Sequence, residues 1–315
     1  MTDTLTRASA PTTAPLTPSV ETPEDRIAQR VVQVISINTH RGLGPKLPYL
    51  LRDADQEEAE RIHLLHDTRA YAYHIADWIE RHRVHYDVVA LQEVFQGVFG
   101  FGSRWLRHRS RQRDYYRSFT GFPHALSHRV GFAAFRYENL ILSQLPGAPS
   151  ERLELHLPGR VFRLAACGFS LAPHRLGEDT VWVGNTHLHA YDPKARTRQA
   201  RCIAKAIREL GDVPILLLGD LNTVPPGCKD GDFPEGDRDV KSYRGDRTLA
   251  ALEEAGLTTV AHEDTVEFHT YPTGAPNRTL DYVLHSHHFE VESYRVVHEF
   301  ALSDHYPVAA RLRLK

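Results

Sequence analysis

Short apolar runs, each followed by a turn or a helical pattern, constrain the fold of this chain more than any other feature. Several are apolar at consecutive positions, which is typical of strands buried on both faces of a sheet. Eight strands are predicted on this basis, at residues 31–37, 87–92, 139–143, 161–171, 181–188, 214–220, 279–285 and 288–297. A last run from Pro307 alternates apolar and charged residues and predicts a half-buried final strand.

Helical patterns lie between these runs. Apolar residues recur at a spacing near 3.6 over about residues 55–82 and again over 193–210, where Asp192-Pro193 is a typical cap and first-turn pair. A third helix is expected over about 246–255, ending at Gly256. Strands and helices mixed in this way predict a layered α/β sandwich.

Composition bounds the organisation and the class of protein. Residues 1–28 form a Thr/Pro/Ala-rich segment that predicts a disordered leader, and 29–315 are expected to form a single domain. A net charge of -2 gives no overall attraction to nucleic acid or acidic membranes. Three cysteines without paired spacing argue against a disulfide framework. With no signal peptide or apolar membrane-spanning run evident, a cytoplasmic location is expected.

Polar residues fall at the ends of six of the predicted strands. Any one of them has an ordinary explanation as a turn, surface or core residue, but a shared site explains all of them together. They are Asn38, Glu93, His187, Asp220 with Asn222, Asp281, and the Asp304-His305 pair. Carboxylate and amide oxygens favour Mg²⁺ or Mn²⁺, and two histidines remain for proton handling. This set fits metal-assisted attack of water on a phosphate ester.

The ordered segments that carry these residues resemble the endonuclease/exonuclease/phosphatase superfamily. They are "SINTHRG", "DVVALQEVF", "VGNTHLHAYDP", "LLLGDLNT", "RTLDYVLHS" and "SDHYPVAARL", within about residues 30–315. The resemblance implies a four-layer, DNase I-like α/β sandwich of two facing mixed sheets flanked by helices. It also implies that the site lies at one end of the two sheets.

The resemblance also implies a role for each residue. Asn38 and Glu93 would hold the metal, with Asp304 near it. Asp220 and Asn222 would orient the attacking water and the phosphate. His305, polarised by Asp281, would be the general base or a phosphate contact.

His187 would stabilise charge that develops on the phosphoryl oxygens. At His40 the chain departs from family members that carry an acid two residues after the first Asn. The wording of "LQEVF", "NTHLHA" and "SDHYPV" is most similar to bacterial neutral sphingomyelinases and their relatives.

Residues 95–117 combine Gly, Phe and Arg directly after Glu93. Three interpretations stay open: a solvated helix face, a nucleic-acid patch, or a membrane-facing loop whose arginines meet anionic headgroups. Within it, Arg104 and Arg107 are candidate substrate contacts. Arg278 is another, although a surface arginine is its default interpretation.

The sequence as a whole predicts a Mg²⁺- or Mn²⁺-dependent phosphodiesterase that leans towards phospholipid headgroup diesters. The alternative is a nuclease acting on DNA or RNA, and a non-catalytic binding protein is the third hypothesis. No protein partner is predicted, and peripheral membrane contact through residues 95–117 is a hypothesis. The segment "LHSHHFE" is interpreted as a polar loop and not as a second metal site.

Overall fold

The computed structural model describes residues 21–46, 70–97, 112–130, 136–147, 152–157, 167–228, 233, 243–263 and 265–315. Its strands are β1 (Val31–Asn38), β2 (Val88–Gly97), β3 (His124–Val130), β4 (Arg136–Ser143), β5 (Leu153–His156), β6 (Gly168–Leu176), β7 (Asp179–His187), β8 (Ile215–Asp220), β9 (Leu257–Thr259), β10 (Asp281–Ser286), β11 (Phe289–Val296) and β12 (Val308–Leu314). Its α-helices are α1 (Pro23–Ala28), α2 (Tyr71–Arg81), α3 (Gln112–Phe119), α4 (Pro193–Leu210) and α5 (Thr248–Glu253). Short 3₁₀ turns cover His40–Gly42, Arg83–His85 and Val266–Phe268.

Within the described ranges, the strands form two six-stranded mixed sheets. The first sheet has the order β11-β12-β1-β2-β4-β3, and the second has the order β5-β6-β7-β8-β10-β9. In the first, β1 and β2 are parallel while β12 runs antiparallel to β1. In the second, β7 and β8 are parallel while β10 runs antiparallel to β8.

The two sheets face each other, and helices cover their outer faces. Apolar side chains from both sheets meet in a buried central layer that includes Val32, Val34, Leu216, Leu218 and Val283. On the outer faces, Ile35 and Ile37 of β1 pack against α2, while Leu217 of β8 packs against α4. Strands β1 and β8 are therefore apolar on both faces because each lies between two packed layers. This arrangement confirms the predicted four-layer α/β sandwich.

The predicted elements agree with the structure where it describes them. The helix predicted over 193–210 has those bounds, and Asp192 caps it by accepting hydrogen bonds from the amides of Lys194 and Ala195. The helix predicted over 55–82 is described only as α2, since residues 47–69 lie outside the described ranges. The strand predicted over 161–171 falls partly outside them too, and β6 continues to Leu176.

The amino-terminal boundary differs from the prediction of a disordered leader over 1–28. Thr22 and Asp25 form a capping box that begins α1. From α1, Arg26 donates to both carboxylate oxygens of Asp87, at 2.9 Å from Nε and 2.8 Å from the terminal nitrogen, and both side chains are buried. This bidentate ion pair places residues 21–28 with the domain, whereas residues 1–20 lie outside the described part of the chain. Among the described helices, none has the length and apolar character needed to cross a bilayer.

Candidate active site

Strand direction explains why the predicted site residues meet at one edge of the sandwich. Parallel β1 and β2 end at the same edge, as do parallel β7 and β8. The antiparallel strands begin where those strands end, so that Asp281 lies opposite Asp220 and Val308 opposite Ser36. Asp304 and His305, just before β12, reach the same edge. The carboxyl ends of four strands and the starts of two others thus collect the polar groups.

Asn38 and Asp220 join the two sheets at the centre of the site. Asn38 donates from Nδ2 to Oδ2 of Asp220 at 2.9 Å, and its Oδ1 accepts from the amide of His40 at 2.9 Å. The other Asp220 oxygen accepts from the amide of Asn222 at 2.8 Å, while Asn222 donates its side-chain amide to the carbonyl of Leu188. Asn222 has a φ of 50°, which turns the chain back after β8. All three side chains are buried.

Glu93 enters the site through a break in strand pairing. The register between β2 and β4 shifts between Leu91 and Val94, and Glu93 between them has a φ of 54°. A bulge of this kind re-aims one side chain out of the regular alternation. The Glu93 carboxylate accepts from Nε of Arg41 at 3.0 Å and lies 4.0 Å from Nε2 of His187.

His305 and Asp281 form a buried pair. Nδ1 of His305 lies 2.8 Å from Oδ2 of Asp281 and 3.9 Å from Oδ2 of Asp220. Its Nε2 lies 4.0 Å from Oδ1 of Asp304, and the ring of Tyr271 packs on the imidazole at 4.7 Å between centroids. The carboxylate on Nδ1 fixes the tautomer and orientation of the ring and directs Nε2 as the reactive nitrogen.

The second histidine approaches the same carboxylates from β7. Nε2 of His187 lies 3.6 Å from Oδ2 of Asp220 and 4.0 Å from Oε1 of Glu93. It is 16% exposed, so it can contact a bound phosphate while it faces the buried acids. Two imidazoles, one at the end of β7 and one in the segment before β12, therefore lie beside Asp220.

The charges of these groups shift one another's pKa values. Burial, and then the neighbouring Asp281, raise the pKa of Asp220 to about 6. Burial alone would lower the pKa of His305, but Asp281 and Asp220 outweigh it and raise that pKa to about 10. For Glu93, burial acts to raise the pKa, but the charges of His187 and Arg41 prevail and lower it. The site thus holds ionised acid beside a protonated imidazole.

The donor set fits a hard divalent cation. Oδ1 of Asp281 and Oδ1 of Asp304 are buried carboxylate oxygens without a hydrogen-bond partner among the described residues. A buried, incompletely paired carboxylate is costly unless a cation compensates it. Asn38, Glu93 and Asp304 offer oxygen ligands of the type that Mg²⁺ and Mn²⁺ prefer.

A different trio, Asp220, Asp281 and His305, has ligand atoms within 4.8 Å of one another. We interpret that trio as a hydrogen-bonded relay, because Nδ1 of His305 is already engaged by Oδ2 of Asp281 at 2.8 Å.

Several residues of the site were missed by sequence reasoning. Arg41 reaches Glu93 through a backbone φ of 57°, and Nδ1 of His40 lies 3.4 Å from Oδ1 of Asp304. Nζ of Lys46 lies 4.4 Å from the ring centroid of Tyr271, which in turn covers His305. His40 was noticed as a departure from the family pattern, but nothing in the residue order indicated that Arg41 and Tyr271 would contact the site.

The candidate substrate arginines have different positions. Arg104 and Arg107 lie outside the described residues, as do residues 98–111 of the 95–117 stretch. Arg278 is 2% exposed, and its guanidinium packs over the rings of Phe233, Tyr243 and Tyr271. The structure therefore places it behind Tyr271 and not at the surface position that was its default interpretation.

A cavity of about 320 Å³ begins at Thr223, directly after Asn222 in the chain. Thr223, Cys228, Tyr243 and Arg247 are among the residues that line it. Asp246 at its wall accepts from Arg196 at 2.6 Å and from Thr223 at 2.7 Å. The predicted catalytic and metal-binding residues are not part of its lining, so the cavity is not assigned to the reaction.

Comparison with known proteins gives family and fold. The model of the Endonuclease/Exonuclease/phosphatase family matches residues 64–305. An endonuclease/exonuclease/phosphatase structure from Beutenbergia cavernae is similar at a TM-score of 0.63 and 20% identity, covering 90% of this chain and 72% of that one. D. rerio TDP2 complexed with a single-strand DNA product is similar at a TM-score of 0.58 and 13% identity, covering 90% of this chain and 99% of that one. Bacteroides thetaiotaomicron mannosyl-6-phosphatase is similar at a TM-score of 0.56 and 17% identity, covering 89% of this chain and 99% of that one.

Sequence identities of 20%, 17% and 13% to these structures support a shared fold and nothing finer. No curated protein sequence matches the chain significantly. The family match covers well over half of the sequence and includes Glu93, His187, Asp220, Asp281 and His305, while Asn38 precedes the matched range. The chain therefore belongs to the endonuclease/exonuclease/phosphatase family and is homologous to phosphoester-hydrolysing enzymes.

Proposed function

We propose that the protein is a divalent-metal-dependent phosphodiesterase that directs water onto phosphorus. The observation that carries this proposal is the His305–Asp281 pair at 2.8 Å, set against the oxygen-rich cluster of Asn38, Glu93 and Asp220. Members of the family generally depend on a divalent metal, and a bound Mg²⁺ or Mn²⁺ would supply charge to the phosphoryl oxygens.

The residues of the chain divide the work by position. Burial, and then the neighbouring Asp281, raise the pKa of Asp220, which orients the attacking water or accepts its proton. The amide of Asn222 holds that carboxylate in place. His187 contacts the phosphoryl oxygens as they gain charge. His305 presents Nε2 to the phosphate as a cationic contact while its pKa stays raised, and it accepts a proton when positive charge nearby lowers that pKa.

For the substrate we keep the preference for phospholipid headgroup diesters. It rests on the similarity of the site motifs to neutral sphingomyelinases and on exposed aromatic side chains that follow the 98–111 segment. Phe119 is 60% exposed and stacks on Tyr115, which contacts the 46%-exposed Tyr73. Such rings suit the interface of a membrane. A cytoplasmic location, with action at the inner leaflet, is part of the same proposal.

A nuclease is the second candidate function. The similar fold of TDP2 holds a single-strand DNA product, and the same aromatic side chains would stack on bases. A net charge of -2 gives no overall attraction to nucleic acid and so does not support this candidate. The two candidates share the reaction at phosphorus and differ in what the surroundings of the site bind.

A hydrolysis panel on the purified full chain tests both the reaction and the substrate. The panel sets sphingomyelin and glycerophospholipid vesicles beside plasmid DNA, single-stranded DNA, RNA and bis-p-nitrophenyl phosphate. We expect turnover that stops on chelation, returns with Mg²⁺ or Mn²⁺, and falls by about 10²–10⁴-fold in His305→Ala. His124→Ala, which removes an exposed histidine of β3, is the matched control and should leave the rate unchanged.

Each outcome has one meaning. Headgroup release with nucleic acid intact supports the phospholipase C-type enzyme, and cleavage of nucleic acid with vesicles intact supports the nuclease. Absence of turnover on every one of these diesters with Mg²⁺ or Mn²⁺ present would contradict the phosphodiesterase proposal. Equal rates for His305→Ala and the control would show that the site has been wrongly assigned.

A further inference from the structure

A second group of metal-ligand side chains lies at the opposite end of the second sheet. Asp212 belongs to the turn between α4 and β8, and His287 and His288 form the two-residue turn between β10 and β11. Since β8 and β10 span the distance between these turns and the catalytic edge, the two groups are roughly 20 Å apart. Nothing in the hydrolytic chemistry uses these three residues.

The three side chains converge on one point. Oδ1 of Asp212 lies 3.4 Å from Nε2 of His288 and 3.7 Å from Nε2 of His287. All three ligand atoms lie within 4.8 Å of one another. Two ligand atoms that share a tetrahedral zinc ion, each about 2.1 Å from it, are separated by about 3.4 Å. The observed separations match this edge length and are too long for good hydrogen bonds.

The His288 ring is held in the orientation that a ligand needs. Its Nδ1 lies 3.1 Å from Oγ of Ser286, and that hydroxyl oxygen also accepts from the amide of Ile215 at 3.0 Å. A proton on Nδ1 that is donated to Oγ leaves the Nε2 lone pair directed at Asp212. Hydrogen bonding of the distal ring nitrogen is the usual support for a metal-bound histidine.

The backbone of the turn is held as well. The amide of Lys315 donates to the carbonyl of His288 at 3.0 Å, and its Nζ donates to the carbonyl of His287 at 2.9 Å. The centroids of the two imidazole rings lie 4.1 Å apart, with a 33° angle between the ring planes. Both Nε2 atoms face the same Asp212 oxygen, at 3.7 Å from His287 and 3.4 Å from His288. Asp212 and His287 are largely exposed, which leaves the point between them open to an ion from solvent.

We propose that Asp212, His287 and His288 form a second metal site that takes an imidazole-preferring divalent ion such as Zn²⁺. Two nitrogens and one carboxylate oxygen supply three of the four tetrahedral ligands, and water supplies the fourth. The bound ion links the β10–β11 turn to the α4–β8 turn through these three ligands. This conclusion replaces the interpretation of "LHSHHFE" as a simple polar loop, and it does not depend on the proposed hydrolase function.

Calorimetric titration of the full chain with Zn²⁺, in millimolar Mg²⁺ to occupy the oxygen-rich site, tests the proposal. We expect one binding event that weakens at least tenfold in His288→Ala and in the near-isosteric Asp212→Asn. His124→Ala, which removes an exposed histidine of the first sheet, should bind Zn²⁺ as the unchanged protein does. Zn²⁺ should also raise the thermal midpoint of the unchanged protein by several degrees, and this rise should vanish in both variants.

Two results would overturn the proposal. One is Zn²⁺ affinity and stoichiometry in His288→Ala and Asp212→Asn equal to those of the control. The other is loss of the binding event in Asp281→Asn, which alters only the catalytic edge. The Asp212 side chain is 79% exposed and that of His288 is 23% exposed, and equal thermal midpoints without metal will show that each variant is folded.

Discussion

The charge of the His305 imidazole is set chiefly by the single carboxylate on its Nδ1. Asp281, at 2.8 Å, contributes most of the attraction that raises the pKa of His305 to about 10 against the opposing effect of burial. In Asp281→Asn the amide removes that charge, and we expect the pKa of His305 to fall. An NMR titration of the imidazole proton signals measures this shift directly.

The same substitution should lower kcat by about 10²–10⁴-fold, because a neutral amide no longer selects the tautomer with a reactive Nε2. Asp179→Asn is a suitable control, since it removes a surface carboxylate that pairs with Arg30 far from the site. A pKa of His305 that is equal in the two variants would contradict the assigned pairing.

The contacts of individual residues were predictable only where a strand end determines them. Asn38, His187 and Asp220 follow apolar strands directly, and the order of strands brings them together. Arg41 and Tyr271 were not predictable, because they reach the site through a left-handed turn and an irregular segment. Their positions depend on local backbone angles that neither periodicity nor motif order encodes.

Close approach of β7 and β8 places Asp220 beside His187, and this approach requires a glycine at position 219. Gly219 lies opposite Thr186, and a Cβ at Gly219 would stand 2.0 Å from the Thr186 carbonyl oxygen. We expect Gly219→Ala to lower the free energy of unfolding by about 3 kcal/mol or more, because backbone must move. Urea unfolding followed by circular dichroism measures this loss.

Gly211→Ala provides a comparison for the same change without a clash. Gly211 also has a positive φ, of 80°, but a Cβ there meets nothing within 4 Å. Only the backbone is penalised at that position: with φ 80° and ψ −155° it lies in a region that is essentially restricted to glycine, and a side chain there costs about 1–3 kcal/mol. Equal losses in the two variants would show that β7 and β8 can separate without cost.

Whole elements differed in how well their sequences predicted them. Central strands such as β1 and β8 were predicted because packed layers on both sides require apolar residues at every position. Strands β3 and β5 were missed, since each occupies a sheet edge and carries several polar residues. Helix α1 was missed because its Arg26 is an ordinary charged residue until Asp87 is placed against it.

At the scale of the molecule, polar bridges behind the site hold the two sheets in register. Gln92 of β2 donates to Oδ1 of Asn185 at 2.8 Å, and Asn185 donates to the carbonyls of Leu91 and Leu140. With the Asn38–Asp220 bond, these contacts cross the central layer next to the catalytic edge. Buried amides in such positions specify one relative placement of the sheets, since any slip leaves them unpaired.

Buried histidines make the stability of the whole domain depend on pH. Burial lowers the pKa of His174, and the nearby His124 lowers it further, although a hydrogen bond with the carbonyl of Ala172 opposes both effects. The unfolded chain therefore binds a proton near pH 6.5 that the folded protein resists. Stability should fall as the pH falls below about 6.5, by about 1.4 kcal/mol for each unit of pKa depression.

His305 acts in a separate window with the opposite sign. Its raised pKa gives stability that is complete below about pH 6.5 and is lost as the pH rises towards 10. In acid, therefore, the difference in the free energy of unfolding between the unchanged protein and a His174 variant reports on His174 alone. The titrating carboxylates and His305 are common to both proteins and cancel. We expect the free energy of unfolding of His174→Gln to change less between pH 7 and pH 5 than that of the unchanged protein.

Chemical unfolding at pH 7, 6 and 5 measures how the free energy of unfolding depends on pH in the unchanged protein and in His174→Gln. Chelator is present so that bound metal does not contribute. His298→Gln, which replaces a histidine at an exposed position, is the matched control and should follow the unchanged protein. Parallel curves for His174→Gln and the unchanged protein would show that the folded domain accommodates a charged imidazole in β6. A shallower curve for His174→Gln would show that the folded domain resists a charged imidazole in β6.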